Sequence, residues 1–323
     1  MITSGLRTVV ALGGGGARGL AHLGAMEVLQ QTSLRVTRYV GVSIGSLAAA
    51  LCAVEQDSLA AQKKVLDYLH SDHFAHRQAE LFHVSEKEHD QTASGLLAWY
   101  HRMRRFFGQK KQLLHYLRRP SLLTRHVLQD AVDRLVPDIE LGRLQVPISV
   151  VALDLRTGLP VVLEEGSLRD AVVASMSIPG IFPPVEIGNW LLCDIGVVDA
   201  LPVRVARRYE SDLTVAVDIG GGLESVDGCQ TAGETFLRLS DITEHLVRQY
   251  SAPLADILIC PNVGEVHWSD FSDAERLIES GRSAATARLS HGFSAAGDER
   301  AARLFEQSFR ACEATDEHVR GAC

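Results

Sequence analysis

The chain has 323 residues, of which 46% are hydrophobic, and a formal net charge of -8 at pH 7. This length and apolar content allow a full buried core and fit one large α/β domain better than two equal domains. The acidic balance argues against a dedicated nucleic-acid-binding protein, because such proteins usually carry a strongly basic domain.

The cysteines and the apolar runs bear on the compartment. Six cysteines are scattered without a Cys-x-x-Cys pair, which is typical of buried thiols in a reducing compartment. The first ten residues lack the long apolar stretch of a signal peptide, and no uninterrupted run of 18 apolar residues predicts a spanning helix. We therefore expect a cytoplasmic protein whose only membrane contact is peripheral, at the inner face.

The first 55 residues predict a βαβα unit. Residues 8–12 form a β-branched apolar run, glycines occupy 13–16, and residues 17–30 have helical periodicity. A second short strand is predicted at 39–42, followed by an Ala- and Leu-rich helix at 44–54. Parallel crossovers usually join neighbouring strands, so the loops after both strands should emerge at the same sheet edge. The glycine turn and Ser43 are therefore expected to be neighbours.

The remaining chain predicts a helical insertion and then more α/β structure. Residues 57–140 mix His, Arg and Lys with large apolar residues and predict helices. Strands are predicted at 147–153, 161–163, 185–187, 190–193, 213–219 and 257–260. A helical tail is predicted at about 296–323. Because no repeat, low-complexity tract or long linker is present, we expect one domain over residues 1–323.

A catalytic serine is indicated by the segment Gly41-Val-Ser43-Ile-Gly45. In a nucleophile elbow, flanking glycines let the chain turn sharply from strand to helix and hold a strained serine at the tip. Short Gly-x-Ser-x-Gly strings also occur by chance. The position between a predicted strand and a small-residue helix favours the catalytic interpretation.

The glycines at 13–19 have two interpretations. Gly14, Gly16 and Gly19 satisfy the dinucleotide fingerprint, but the second strand then ends at Ser43 rather than at the expected acidic residue, and no phosphate-binding Lys follows. Backbone amides at a helix N-terminus can instead form an oxyanion hole. Arg18 could order that loop or add positive potential, and a solvent-exposed arginine remains an equal alternative.

The serine needs a base. His245, His267 or His291 could formally complete a Ser-acid-His order, but Ser43 follows only two strands and none of these histidines ends a convincing strand. Asp194 ends an apolar strand and precedes Gly196, where a partly desolvated carboxylate could act directly as the base. The alternative for Asp194 is ordinary turn chemistry.

Four segments together resemble one family. They are Gly14 to Gly19, Gly41 to Gly45, Ala174-Ser-Met-Ser-Ile-Pro-Gly-Ile-Phe-Pro-Pro-Val185, and Asp194-Ile-Gly196 with Val197-Val-Asp-Ala-Leu-Pro-Val203. In this order they resemble the patatin-like phospholipases, in the bacterial branch related to the neuropathy-target-esterase catalytic domain. The resemblance covers about residues 8–55 and 145–290.

The resemblance implies a three-layer α/β/α sandwich with a mainly parallel central sheet and no metal or organic cofactor. It implies hydrolysis of phospholipids, lysophospholipids or related long-chain esters through a Ser43/Asp194 dyad and an acyl-serine intermediate. The other residues it implicates are the oxyanion-loop residues Gly14, Gly15, Gly16 and Arg18 and the motif glycines Gly19, Gly41, Gly45 and Gly196.

One residue departs from the family pattern. The family usually has Asp-Gly-Gly or Asp-Gly-Ala, whereas Ile195 stands in the middle here. If the position needs a positive φ, a β-branched residue would be strained by roughly 1 to 3 kcal/mol. The alternative function is therefore a weak or inactive patatin-like protein with a regulatory or lipid-binding role.

A membrane-contacting segment is also indicated. The stretch from Trp99 to Arg125 interleaves eight arginines and lysines with aromatic residues and leucines. A basic amphipathic helix can lie on anionic lipid, but a helix pair packed on its own domain fits the pattern equally well. The expected partner of the protein is a lipid or long-chain ester substrate, with possible peripheral membrane contact through this stretch, and no nucleic acid is expected. The sequence leaves the oligomeric state open.

Overall fold

The computed structural model describes residues 5–76, 121, 123–223, 225–226, 228–264, 266 and 269–290. Within these residues, eight strands form one sheet. The strands are β1 (Arg7–Leu12), β2 (Arg35–Val42), β3 (Ile148–Asp154), β4 (Pro160–Leu163), β5 (Val185–Ile187), β6 (Trp190–Cys193), β7 (Leu213–Val217) and β8 (Ile257–Ile259).

Helices connect the strands. They are α1 (Leu20–Gln30), α2 (Ile44–Glu55), α3 (Ser58–Leu69), α4 (Arg125–Leu135), α5 (Leu168–Met176), α6 (Val203–Ala206), α7 (Ala232–Ser251) and α8 (Ala274–Ser290). Short 3₁₀ turns lie at Gly16–Gly19, Leu141–Arg143, Ile195–Val197 and Ala252–Leu254.

The sheet is mainly parallel. Its order is β5-β6-β3-β2-β1-β7-β8, with β4 paired to β3. The five strands from β3 to β8 along this order run parallel, while β4, β5 and β6 add antiparallel pairs at one end. The expected mainly parallel sheet is confirmed. The carboxyl ends of β1, β2 and β7 meet at one edge, where ligands usually bind in such sheets.

Side chains of the central strands alternate between two apolar clusters. On one face, Val10 and Leu12 pack with residues of α1, α2 and α8. On the other face, Val9 and Ala11 pack with Ile195 and with residues of α6. Because successive strand residues point to opposite faces, the alternation places a helical layer on each side of the sheet. The expected three-layer α/β/α sandwich is therefore confirmed.

Two glycines bring α1 and α8 into backbone contact. A Cβ atom at Gly24 of α1 would lie 1.8 Å from the Ile278 carbonyl oxygen of α8. A Cβ atom at Gly281 of α8 would lie 1.8 Å from the Ala21 carbonyl oxygen of α1. Each helix thus occupies the space that a side chain on the other would need.

All eight predicted strands are present, although β7 ends at Val217 rather than at residue 219. Near the N-terminus, one strand and one helix begin at other residues than predicted. β2 begins at Arg35 rather than at residue 39. Its first half pairs with β1, but the apolar pattern misses this half because it is largely polar and partly exposed. The helix expected from residue 17 begins at Leu20, after the 3₁₀ turn at Gly16–Gly19. Sequence periodicity does not distinguish this turn from the first turn of an α-helix.

Parts of the predicted organisation lie outside the described residues. The insertion predicted at 57–140 is helical where α3 and α4 are described, but residues 77–120 are not described. The predicted tail at 296–323 is also outside, as is most of the basic segment Trp99 to Arg125. Arg125 itself starts α4, and its guanidinium lies 3.3 Å from the Asp170 carboxylate. Among the helices that the structure describes, none has the length and apolarity needed to cross a membrane.

Candidate active site

Ser43 lies at a strained turn between β2 and α2. Its φ and ψ are 53° and -126°, a backbone conformation rarely adopted by residues other than glycine. Ile44 immediately starts α2, so the serine stands at the N-terminus of that helix. Its exposed fraction is only 7%. A strained, nearly buried serine at the carboxyl end of a strand has the geometry of a nucleophile elbow.

The glycines on either side of Ser43 make this turn sterically possible. A Cβ atom at Gly41 would lie 2.5 Å from the Gly45 carbonyl oxygen, and one at Gly45 would lie 2.2 Å from the Leu12 carbonyl oxygen. Gly19 meets α2 in the same way, since its Cβ atom would lie 2.4 Å from a side-chain carbon of Ile44. These motif glycines therefore let α2 pack directly against β1 and the glycine loop.

Ser175 fixes the backbone of the serine and was not identified from the sequence as a functional residue. The Ser43 backbone N–H donates to the Ser175 hydroxyl oxygen at 2.9 Å. The Ser175 hydroxyl donates to the Val151 carbonyl oxygen at 2.7 Å. Ser175 lies on α5 within the segment Ala174 to Val185, and it links the elbow to β3. Ser175 is fully buried, and sequence patterns alone do not reveal that a serine is buried.

Asp194 is brought to Ser43 by the end of β6. Its side chain is 3% exposed, and its backbone N–H donates to the Ser177 carbonyl oxygen at 2.9 Å. The carboxylate accepts a hydrogen bond from the Gly196 backbone N–H at 2.7 Å. Burial raises the pKa of Asp194 to about 6, although the hydrogen bonds from Ser43 and Gly196 act in the opposite direction. The structure therefore places a partly desolvated carboxylate beside the serine hydroxyl.

The condition for backbone strain at Ile195, a positive φ, is not met. Among the described non-glycine residues, a positive φ occurs only at Ser43 and Gln56. Ile195 instead starts the 3₁₀ turn that follows Asp194, and its buried side chain packs in the same apolar cluster as Val42 and Leu201. The isoleucine contributes to the core and does not force the aspartate out of position.

The glycine loop lies directly against Ser43. A Cβ atom at Gly14 would be 3.4 Å from the Ser43 Cβ. The Gly14 backbone N–H donates to the Ala200 carbonyl oxygen at 2.8 Å, so this amide anchors the loop. Gly15 and Gly16 stand at the start of the 3₁₀ turn, where the first N–H groups lack acceptors within the helix. Of the loop amides, those of Gly15 and Gly16 therefore have no acceptor within the turn, whereas the Gly14 amide is occupied.

Arg18 contacts the loop from its far side. Its Nε donates to the Gly15 carbonyl oxygen at 3.1 Å, which is a loop-ordering contact. Burial and the nearby charge of Arg248 lower the pKa of Arg18 to about 10, while Asp218 and Asp241 raise it. The guanidinium therefore remains charged at neutral pH and adds positive potential behind the loop.

His22 is a buried histidine that supports the same loop. Its Nε2 lies 2.7 Å from the Gly13 carbonyl oxygen, so this nitrogen carries the proton and donates. Burial lowers the pKa of His22 to about 4, which keeps the ring neutral at physiological pH. Its position favours support of the loop over proton transfer from the serine.

The histidines considered as triad members are in other surroundings. His245 is half-buried on α7, where its Nε2 lies 3.0 Å from the Gln249 side-chain nitrogen. Burial lowers the pKa of His245. His267 and His291 lie outside the described residues.

In the part of the chain that the structure describes, no cluster of three or more His, Cys, Asp or Glu side chains could hold a metal ion.

An apolar cavity of about 190 Å³ opens at Ser43. Its walls come mainly from α2, α3 and α4, and almost all of the lining side chains are hydrocarbon or aromatic. They include Leu47 and Leu51 of α2, Val65 and Tyr68 of α3, and Leu128 and Leu135 of α4. Such a cavity suits an acyl chain better than a polar substrate.

The sequence comparisons agree with this geometry. A model of the patatin-like phospholipase family matches residues 10–207. The chain belongs to this family. The match contains the glycine loop, the elbow, Ser175 and Asp194.

The sequence identity between this chain and individual relatives is low. An uncharacterized NTE family protein of Mycobacterium bovis is 28% identical over 224 residues, covering 68% of this chain and 51% of the relative. Patatin-like phospholipase domain-containing protein 6 of Mus musculus is 26% identical over 221 residues, covering 68% of this chain and 14% of the relative. The chain thus aligns with about half, or much less, of the length of these curated relatives.

Among solved structures, VipD from Legionella pneumophila matches with a TM-score of 0.44 and 14% identity, covering 89% of this chain and 67% of that chain. The ExoU–SpcU complex of Pseudomonas aeruginosa matches with a TM-score of 0.38 and 18% identity, covering 89% of this chain and 52% of that chain.

Proposed function

We propose that this protein is a serine lipid acyl hydrolase that cleaves carboxylic esters of phospholipids, lysophospholipids or related long-chain acyl compounds. The observation that carries the proposal is the position of Ser43. It is strained, it contacts a buried carboxyl, and it stands at the mouth of an apolar cavity. Family membership supports the same class of reaction.

In the proposed mechanism, ionised Asp194 accepts the Ser43 proton as the serine oxygen attacks the ester carbonyl. The negative charge that develops on the carbonyl oxygen is stabilised by the Gly15 and Gly16 amides. Asp194 then returns the proton to the departing alcohol, which leaves an acyl-serine. A water molecule that loses its proton to Asp194 releases the fatty acid and restores the serine.

The length of the cavity along α2 indicates which acyl chains fit. Ser43 and Leu51 are eight residues apart, and a rise of 1.5 Å per residue separates them by about 12 Å along the helix. An extended chain of carbon–carbon bonds advances about 1.25 Å per bond, so this distance holds about ten carbons. We therefore propose that medium and long acyl chains are preferred over short ones.

The alternative function, a weak or inactive regulatory member of the family, depended on strain at Ile195. Because Ile195 packs in the core without a positive φ, that reason no longer holds. The alternative now predicts only that the serine resists labelling, which the following experiment measures.

The proposed dyad is tested by hydrolysis of p-nitrophenyl butyrate and p-nitrophenyl laurate by wild type, Ser43→Ala and Asp194→Asn. We expect each substitution to reduce kcat on the order of 10³-fold or more, because nucleophile and base act as a unit. A fluorophosphonate should label wild type and fail to label Ser43→Ala. An inert wild type that also resists the reagent would support the regulatory alternative.

The proposed acyl site is tested by changing the volume at Leu51. Leu51→Phe fills the far part of the cavity, and we expect kcat/KM for laurate to fall about tenfold or more while butyrate hydrolysis changes little. Leu51→Ala is the matched enlargement and should shift the preference toward longer chains. Equal effects of Leu51→Phe on both esters would place the acyl chain elsewhere.

A further inference from the structure

Helix α7 turns polar side chains toward the protein and large apolar side chains toward solvent. Its buried residues are Glu234, Arg248 and Ser251. Its large exposed residues are apolar: Phe236 is 74% exposed, Leu239 52%, Leu246 46% and Tyr250 53%. A surface helix normally turns its apolar stripe to the core and its charges to water.

The inward polar side of α7 is already well satisfied. Thr231 and Glu234 form a capping box at the start of the helix. Arg248 pairs with Glu244 and lies 3.4 Å from the Asp218 carboxylate. This side is fixed by hydrogen bonds and ion pairs to the body of the protein, so the helix cannot simply rotate to bury its apolar face.

The outward face of α7 carries no exposed charge. From Phe236 to the end of this fully described helix, the exposed positions are only Phe236, Leu239, Thr243, Leu246 and Tyr250. They follow one another at intervals of three, four, three and four residues, which is the spacing of a helix–helix seam. A line of this kind in contact with water favours association.

The exposed line is also nearly symmetric about its centre. Phe236 and Tyr250 each lie seven residues from Thr243, while Leu239 and Leu246 lie four and three residues from it. Two such helices in antiparallel orientation would place aromatic against aromatic, leucine against leucine and threonine against threonine. A two-fold interface requires this self-complementarity, and neither a lipid surface nor an unrelated partner does.

We propose that α7 is the dimer interface between two copies of this chain, which pair antiparallel about a two-fold axis at Thr243. Phe236 packs on the partner's Tyr250, and Leu239 packs on the partner's Leu246. Complete burial of the exposed surface of these side chains in both copies would remove on the order of 1,000 Å² from water, about the minimum for a biological interface. The proposal does not depend on hydrolase activity.

Sedimentation velocity at micromolar concentration tests the proposal. We expect a dimer for the wild-type chain of 323 residues and a monomer for Leu239→Glu and Leu246→Glu, since either change places charges on both sides of the axis. Leu59→Glu is the matched control, because Leu59 is 56% exposed on α3 and should leave the dimer intact. Circular dichroism must show that all three variants are folded.

A symmetric cross-link tests the axis itself. Thr243→Cys should form a disulfide between two copies under mild oxidation, and Lys63→Cys, on an exposed part of α3, should not. Because Cys229 and Cys260 are also exposed, peptide mapping must assign the bond to position 243. A monomeric wild type would overturn the proposal. A dimer that persists in Leu239→Glu would also overturn it. Binding of wild type to lipid vesicles is measured in parallel, and a Leu239→Glu variant that loses this binding without a change in sedimenting mass would assign the face to lipid and overturn the proposal.

Discussion

The two faces of the sheet are covered in different ways. On the first face, α1, α2 and α8 bury nearly continuous apolar surface, and Gly24 and Gly281 bring two of these helices into backbone contact. On the second face, the cover includes the short α6 and the 3₁₀ turn after Asp194, with α7 beside that turn. Here the inner side of α7 holds charges such as Arg248 rather than a continuous apolar stripe.

The difference separates two ways of positioning the same active site. The first face supplies the helix that follows Ser43 and the apolar cavity, and its α1–α8 contact is fixed by close packing that tolerates little added volume. The second face supplies Asp194, whose surroundings combine apolar burial with hydrogen bonds. The first face should therefore respond mainly to changes in volume, and the second mainly to changes in charge and pH.

The largest effect is expected from adding volume to the first face. Gly24→Ala places a Cβ atom 1.8 Å from the Ile278 carbonyl oxygen, and backbone cannot move aside as a flexible side chain can. We expect a loss of about 3 kcal/mol or more in the free energy of unfolding, measured by urea denaturation. Gly142→Ala is the control, because nothing lies within 4 Å of its Cβ position. Equal stability of the two variants would contradict the close packing of α1 on α8.

An intermediate effect, opposite in sign, is expected from removing charge on the second face. Burial raises the pKa of Asp194 to about 6 in the folded protein, above its ordinary value of 3.8, so the ionised carboxylate costs stability above pH 6. This cost disappears as pH falls below about 4, where folded and unfolded states are both protonated. Asp194→Asn should therefore stabilise the fold by about 1 to 3 kcal/mol at pH 7.5.

Urea denaturation of wild type and Asp194→Asn at pH 7.5 and pH 4 measures this difference. The stabilisation should shrink at the lower pH, and kcat/KM of wild type should fall as pH drops below about 6, because the base becomes protonated. A stabilisation that does not change with pH would mean that desolvation does not govern this carboxyl.

The smallest effect is expected from adding volume to the second face. A Cβ atom at Gly220 would meet the end of the Arg248 side chain, which can shift while it keeps an ion pair with Asp218 or Glu244, whereas the Ile278 backbone cannot shift. Gly220→Ala should therefore cost less than about 1 kcal/mol, even though the added atom would overlap its neighbour more closely than at Gly24. A loss as large as that of Gly24→Ala would show that Arg248 is as immobile as backbone.

The sequence predicted the strands, and it singled out Ser43 as a candidate nucleophile, because both have local signals. Apolar runs mark the strands, and the elbow glycines mark Ser43. The contribution of Ser175 could not be predicted, because its two hydrogen bonds depend on how α5 packs against β3. The same holds for the Gly14 amide, which is occupied by a carbonyl 186 residues away along the chain. Such contacts arise from tertiary structure alone.

Periodicity also does not tell which way an apolar stripe faces. The spacing of Phe236, Leu239, Leu246 and Tyr250 is that of a core-facing helix, yet these residues are exposed. The capping box and the Arg248 ion pairs determine the orientation, and they involve residues distant in sequence such as Asp218. Whether Ile195 would be strained could not be decided from the sequence for a related reason, because its backbone conformation belongs to the 3₁₀ turn that follows Asp194.

The contacts at Gly24 and Gly281 tie the last described helix to the candidate active site without giving it a residue in that site. α1 starts directly after the glycine loop, and α8 also touches the 3₁₀ turn of that loop. A shortened protein that ended before Ala274 would retain Ser43, Asp194 and every loop amide. It would nevertheless lose the surface against which α1 and the loop pack. All candidate active-site residues would be present, but the loop would no longer be held in position beside Ser43.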